Sequence, residues 1–136
     1  MDKKKLIETA IKYRKKSYSP YSKYKVGAAV LMDSGNIYGG NNIENASYPA
    51  GICAERTAIF KAVSEGEKTI KAIAICGGSK DEIDDMAYPC GICRQVIREF
   101  SDPKECIVII AKSADDYEEY TLEQLLPNSF GPDNLS

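Results

Sequence analysis

Histidine is absent from the sequence of 136 residues, and this absence excludes more chemistry than any other feature of the composition. Ser-His-Asp and Cys-His catalysis, HExxH metalloproteases, two-histidine-one-carboxylate iron sites and zinc fingers with paired histidines all require an imidazole. A transition-metal site in this chain must therefore use cysteine, with aspartate, glutamate or water as further ligands. Ligation by several cysteines favours zinc or an iron–sulfur cluster.

Long apolar runs are also missing from the sequence. The longest, residues 26–32 and 106–111, are far shorter than the ~20 residues of a membrane-spanning helix. The lysines at 3–5 precede only two apolar residues before Glu8, which is too few for a signal peptide. We therefore expect a cytoplasmic protein without a membrane partner, in which the five cysteines stay reduced.

Basic residues are concentrated at the start of the chain. Residues 1–25 hold nine of the eighteen lysines and arginines, whereas the whole chain has a net charge of -2. These basic residues alternate with apolar ones at helical spacing, which indicates the solvated face of a packed helix rather than an arm that binds nucleic acid.

The apolar pattern predicts an α/β fold, in which a mixed five-stranded sheet is covered by helices. Asp2 is expected to cap a first helix that runs to about Ser17, and Gly66 to follow the end of the second. The Gly39-Gly40 pair is interpreted as a β-bulge. Strands are predicted at 26–32, 37–44, 70–76, 106–110 and 117–121, and helices at 2–17, 53–66, 90–100 and 122–126.

Three of the five cysteines stand at the predicted starts of two helices. Cys53 opens the second helix, while Cys90 and Cys93 open the third, one turn apart on one face. The positive end of a helix lowers the pKa of a thiol and so favours the thiolate that binds metal. Catalytic zinc sites use three protein ligands and leave the fourth position to water. The pattern is typical of such an open site.

Glu55 stands two residues after Cys53, on the apolar helix face that carries Ala58, Ile59 and Ala62. A carboxylate is normally unfavourable on an inward face. A role as general acid and base beside a metal-activated water explains the inward position of the Glu55 carboxylate.

Three other interpretations of the cysteines stay open at this point. Cys90 and Cys93 could be core residues or a redox pair, although neither explains Cys53 or Glu55. A non-catalytic module closed by four cysteines would need Cys76 or Cys106 as the fourth ligand. Both lie in predicted strands without paired spacing, which is typical of core residues.

Two short motifs carry a resemblance to a known family. Cys53-Ala54-Glu55, followed by Pro89-Cys90-Gly91-Ile92-Cys93, resembles the zinc-dependent nucleoside deaminases. Residues 42–48, 51–58, 90–95, 125–127 and 130–132 are similar, more narrowly, to the small all-cysteine cytidine deaminases. The likeness spans most of the chain and implies one cytidine deaminase domain over residues 1–136, with the three-layer fold of that family.

The resemblance implies the chemistry of the site. Cys53, Cys90 and Cys93 would hold Zn²⁺, and Glu55 would move protons between zinc-bound water, the ring N3 and the departing ammonia. Hydroxide would attack C4 of the cytosine ring. Cytidine and deoxycytidine would become uridine and deoxyuridine, a reaction of pyrimidine salvage.

The resemblance also assigns substrate-binding residues. Asn42 and Glu44 occupy the positions that bind the ribose, and residues two apart on a strand point to one side. Tyr24 stands where the family usually has the phenylalanine that packs on the pyrimidine, a departure that still offers a ring for stacking. Ala54 is a further substrate-binding residue that the resemblance assigns.

Further residues are implied around the metal and between subunits. Arg56 resembles the family arginine that hydrogen-bonds a ligand sulfur and so tunes the metal site. Similar enzymes are homotetramers, in which Tyr48 and Phe130 would approach the site of a neighbouring subunit. A small nucleoside substrate and further copies of the chain, as a homotetramer, are thus the expected partners.

Two alternatives keep the deaminase chemistry but change the substrate. A blasticidin S deaminase also uses three cysteines and a Cys-Ala-Glu motif, although the Asn42-x-Glu44 pair favours a substrate with a ribose. A nucleic-acid-editing deaminase is disfavoured because such proteins need a clustered basic surface, whereas this chain is acidic overall.

Overall fold

The structure is a computed structural model that describes residues 1–79 and 81–136, and this part of the chain folds around a mixed β-sheet. The strands within it are β1 (Lys25–Met32), β2 (Ile37–Asn41), β3 (Ile70–Gly78), β4 (Ile107–Ser113) and β5 (Asp116–Thr121). The α-helices are α1 (Lys3–Arg14), α2 (Ala54–Ser64), α3 (Gly91–Glu99) and α4 (Leu122–Leu125). Short 3-10 helices cover Tyr48–Ala50 and Pro132–Asn134.

The sheet has the strand order β2-β1-β3-β4-β5. Strand β1 is antiparallel to both β2 and β3, and β4 is antiparallel to β5. Strands β3 and β4 are parallel, so the chain must cross over between them, and α3 lies in that crossover. Both strands are largely buried, as unbroken apolar runs predict for strands covered on two faces.

Helices cover the sheet on both sides and create two separate cores. On one face, Leu6, Ile7 and Ala10 of α1 pack on sheet residues such as Ala74 and Ile109. On the other, α2 and α3 pack on a second set that includes Val30, Ile73 and Val108. The predicted α/β fold, a mixed five-stranded sheet between layers of helices, is therefore confirmed.

Two predicted boundaries extend too far. Helix α1 begins after its Asp2 cap, whose carboxylate accepts the Lys5 N–H at 3.0 Å, but it ends at Arg14 rather than at about Ser17. The Ser17 hydroxyl instead donates to the Asn42 side chain at 2.5 Å. Strand β2 ends at Asn41 rather than at residue 44, because the following residues pair in isolated bridges outside the sheet. In both places a tertiary contact overrides the local pattern.

The Gly39-Gly40 pair does not form a bulge, because the register of β1 with β2 runs through it without a shift. The two glycines instead make room for helices. A Cβ on Gly39 would lie 2.1 Å from the ring of Tyr13, and one on Gly40 would lie 2.5 Å from the backbone nitrogen of Ala58. The absence of side chains thus lets α2 lie close against the sheet edge.

No helix among the described residues is long and apolar enough to span a bilayer.

Candidate active site

Helices α2 and α3 begin at the same place in the fold, and a cysteine caps each of them. Cys53 is the N-cap residue of α2, and Cys90 is the N-cap residue of α3. Both have extended backbone conformations, and neither side chain hydrogen-bonds to its own helix backbone. Their sulfurs are therefore available to a ligand at the positive ends of two helix dipoles.

The sulfurs of Cys53, Cys90 and Cys93 lie within 4.8 Å of one another. Tetrahedral coordination with Zn–S bonds of about 2.3 Å places sulfurs roughly 3.8 Å apart, so the cluster matches the size of a zinc site. Cys93 is buried, whereas Cys90 is exposed and Cys53 is partly so. The donor set therefore fits a Zn²⁺ held by three thiolates, with one side of the cluster open.

The surroundings of the cluster favour negative charge on sulfur. The pKa of Cys53 is lowered to about 5, first because the Cys93 thiol hydrogen-bonds to it and then because Arg56 lies beside it. The pKa of Cys93 is raised because its proton is held in that hydrogen bond and the side chain is buried. Arg56 Nη2 donates to Cys53 Sγ at 3.4 Å. In the described part of the chain its Nε is a buried atom without a hydrogen-bond partner. The hydrogen bond to Cys53 is the first cause of the raised pKa of Arg56.

Glu55 lies on the inward face of α2 as predicted and is only 4% exposed. Burial raises its pKa to about 7, and the nearby charge of Cys53 acts in the same direction. A carboxyl group with a pKa near the working pH can both accept and donate a proton efficiently. Glu55 also lines the cavity beside the cysteines, so the proton has a route to a bound molecule.

A cavity of about 740 Å³ opens over the cysteines, within the range typical of small-molecule sites. Most of the predicted site residues line it: Tyr24, Asn42, Glu44, Tyr48, Cys53, Ala54, Glu55, Arg56 and Cys90. Cys93 lies buried at the sulfur cluster. Residues from the segment before β1, the segment after β2, the start of α2 and the loop before α3 thus meet at one site.

Asn42 and Glu44 lie on one wall of this cavity and hold the neighbouring segment in place. The Asn42 amide donates to the Tyr24 carbonyl at 2.8 Å and accepts from the Val26 N–H at 3.0 Å. The Glu44 carboxylate accepts the Tyr21 and Ser22 N–H groups at 3.0 and 3.1 Å, as well as the Ser22 hydroxyl. The Ser22 contacts lower the pKa of Glu44. The wall is therefore prearranged and carries an ionised acceptor.

Phe130 is the predicted site residue that lies elsewhere. It lines a separate surface pocket with Gln95 and residues of the tail, and its side chain is 59% exposed. Its carbonyl accepts from Gln95 Nε2 at 2.9 Å, which fixes the tail against α3. Phe130 does not contribute to the cavity of its own chain, and its contact with a neighbouring subunit stays a prediction.

The sequence patterns missed several residues of the cavity. Tyr21 and Ser22 line it near Glu44, and Met86, Ala87 and Tyr88 line it from the loop after β3. That loop is rich in acidic residues and carries no motif. The one available signal was proximity in sequence, because Tyr88 comes directly before Pro89 and the clustered Cys90.

Cys76 and Cys106 are not brought to the sulfur cluster. Cys76 packs in the core under α1, and Cys106 packs in the core on the opposite face of the sheet. Burial raises the pKa of Cys76 to about 11 and that of Cys106 to about 12. Both are therefore neutral core residues, and the structure does not support a zinc site closed by four cysteines.

Changing Cys76 and Cys106 together to alanine should leave the zinc content at about one ion per chain, because a three-ligand site is complete without them. The melting temperature should fall, since each change leaves a small cavity in a packed core. Zinc analysis and thermal unfolding of the purified variant measure the two effects. Loss of zinc from a variant that remains folded would contradict the three-ligand assignment.

Comparisons with known proteins agree with this geometry. Residues 1–110 match the family model described as the cytidine and deoxycytidylate deaminase zinc-binding region. A cytidine deaminase from Sporosarcina psychrophila is 46% identical over all of this chain and 96% of its own length. One from Halalkalibacterium halodurans is 43% identical over all of this chain and 99% of its own length.

Solved structures show the same similarity in three dimensions. A cytidine deaminase from Burkholderia pseudomallei superposes with a TM-score of 0.82 at 41% identity, covering 93% of this chain and 97% of that one. A cytidine deaminase from Mycobacterium tuberculosis gives a TM-score of 0.81 at 33% identity, covering 96% of this chain and 98% of that one.

Proposed function

The chain belongs to the cytidine and deoxycytidylate deaminase family, and from this premise we propose that it converts cytidine and deoxycytidine to uridine and deoxyuridine. The reaction consumes one water and releases one ammonia. The observation that carries the proposal is the position of buried Glu55 beside a cluster of three cysteine sulfurs in a cavity that can hold a small molecule.

Cys53, Cys90 and Cys93 would hold the zinc ion. When bound, zinc acts as a Lewis acid that lowers the pKa of water to about 7, so that hydroxide is available as the nucleophile. Glu55 accepts the proton of the attacking water and passes it to N3 of the pyrimidine. Glu55 then takes the proton of the hydroxyl group now bound to C4 and delivers it to the exocyclic amino group, which leaves as ammonia while C4 becomes a carbonyl carbon. Arg56 offsets the negative charge of the three thiolates.

The walls of the cavity position the nucleoside. Glu44 and Asn42 bind the ribose hydroxyls, an assignment supported by their place on the wall and by the ionised carboxylate of Glu44. Tyr24 offers its ring to the pyrimidine. Ala54 is the first residue of α2 and lines the cavity. Backbone N–H groups in a first helical turn have no partner within the helix, so Ala54 can donate to the base.

We also propose that the enzyme is a homotetramer with composite active sites. Tyr48 and Phe130 support this, because they are 77% and 59% exposed although both are large and hydrophobic. Each would be covered at a neighbouring subunit's site. Light scattering on the purified protein tests the assembly.

The proposal also includes a single domain over residues 1–136, a cytoplasmic location and a role in pyrimidine salvage. Five free cysteines suit a reducing compartment.

The proposed reaction is tested by the ultraviolet absorbance change when the zinc-loaded protein is mixed with cytidine. We expect rapid conversion to uridine, slowed by deoxycytidine as a competing substrate. Blasticidin S is the control, since it lacks the ribose that Asn42 and Glu44 are placed to bind, and it should be converted poorly. Faster conversion of blasticidin S than of cytidine would assign the site to that alternative substrate.

A further inference from the structure

We propose that Asp85 is a positioning residue that holds the ring of Tyr24 as a fixed wall of the substrate cavity. Asp85 lies in the loop between β3 and α3 and belongs to none of the motifs that carry the resemblance. The proposal rests on the proposed function, in which the pyrimidine packs against Tyr24. It adds a residue that controls this surface without touching the substrate.

The ring of Tyr24 lies directly against the backbone near the end of β3. A Cβ on Gly77 would lie 3.3 Å from Cε1 of Tyr24, 3.4 Å from its hydroxyl oxygen and 2.7 Å from the Cβ of Ala87. The glycine thus leaves the space that the ring occupies. Because Tyr24 also lines the cavity, its placement over Gly77 sets the position of that wall.

Asp85 lies beside this contact between Tyr24 and Gly77. Gly77 and Asp85 form an isolated antiparallel pair, which brings the Asp85 side chain beside the end of the Tyr24 ring. Its Oδ1 accepts the Met86 N–H at 2.9 Å, and its Oδ2 accepts the Tyr24 hydroxyl at 3.1 Å. The first hydrogen bond orients the carboxylate, and the second holds the ring.

Tyr24 needs such a partner because it is a tyrosine. A phenylalanine in this half-buried position would be fixed by packing alone, whereas the phenolic hydroxyl loses water and requires a hydrogen bond. Burial, followed by the hydrogen bond to Asp85, raises the pKa of Tyr24 to about 12, so the hydroxyl remains a donor. Tyr24 and Asp85 therefore act as a pair.

This pair also joins two segments that line the cavity. Met86, Ala87 and Tyr88 follow Asp85 and line the same cavity as Tyr24. Loss of the hydrogen bond should weaken the contact of this surface with the bound substrate and with the transition state equally. Uniform loss of binding raises KM without lowering kcat.

The test measures the effect of Asp85→Ala on cytidine kinetics in two backgrounds, the unchanged chain and Tyr24→Phe. We expect Asp85→Ala to raise KM about three- to tenfold in the unchanged chain, the range for one hydrogen bond, with kcat nearly constant. In the Tyr24→Phe background it should change KM by less than about twofold, because the hydroxyl is already gone. Glu82→Ala removes an exposed acid from the same loop and serves as the matched control, with KM unchanged.

An equal rise of KM from Asp85→Ala in both backgrounds would overturn the proposal, as would the same rise from Glu82→Ala. Crystal structures of the unchanged chain and of Asp85→Ala give a readout that does not depend on the substrate. Movement of the Tyr24 ring away from Gly77 would support the proposal, and an unmoved ring would overturn it. Failure of the unchanged, zinc-loaded protein to convert cytidine would instead count against the proposed function alone.

Discussion

Replacing Glu55 with glutamine is expected to reduce kcat for cytidine by at least about a hundredfold while zinc stays bound. A positioned general acid and base contributes roughly 10² to 10⁴ in rate, and Glu55 is the carboxyl group that lies buried beside the cysteines. Glutamine has nearly the same shape but cannot carry the proton. Initial rates and zinc content are measured on the same preparation.

Glu65→Gln is the matched control for this experiment. Glu65 is exposed and follows the end of α2, so the same chemical change there should leave the rate unaltered. The Glu55 variant should also be at least as stable as the unchanged protein, because an amide is less costly to bury than a carboxylate. A near-normal rate in Glu55→Gln would refute the proton-transfer role, whereas zinc loss would show that the residue supports the metal site.

Replacing Cys53 with alanine should remove both zinc and turnover. Cys53 joins the start of α2 to the two cysteines of α3, and its sulfur receives the hydrogen bond from Arg56. Changes to residues that only support metal ligands cost about 10- to 100-fold in metal affinity or activity. Loss of a ligand should therefore cost more than about a hundredfold in zinc affinity, and kcat/KM should fall with zinc occupancy.

Competition with a chromogenic zinc chelator measures the affinity, and the cytidine assay measures turnover. Cys106→Ala is the control, since it removes a thiol that lies outside the cluster and should retain both properties. Circular dichroism establishes that the Cys53 variant keeps its helices. A folded Cys53→Ala protein that still holds one zinc ion with unchanged affinity would contradict the assignment.

The sequence predicted the structural features that follow from the local pattern and the chemistry of neighbouring residues. Apolar runs predicted the strands, and the inward position of Glu55 followed from helical spacing. The three cysteines could be placed at helix starts because capping positions are local features. Their meeting at one point required the family resemblance, since spacing along the chain does not determine which helix ends are neighbours.

The remaining features depend on tertiary contacts that leave no local trace. Ser17 leaves α1 for Asn42, a residue of the cavity wall far along the chain. The Tyr24 hydroxyl finds its partner in Asp85 across a loop without a motif. Phe130 lies outside the cavity of its own chain, so its predicted role needs a second subunit. Such pairings are set by the packed fold.

Gly40 shows that the mutational sensitivity of the enzyme extends beyond the residues with reactive groups. Any side chain there would meet the backbone of α2 at Ala58, within a few residues of Cys53 and Glu55. Helix α2 would have to shift as a body, moving the proposed metal ligand and the proposed proton carrier in the same step. A substitution at this chemically inert position would thus resemble a double active-site mutation in its phenotype.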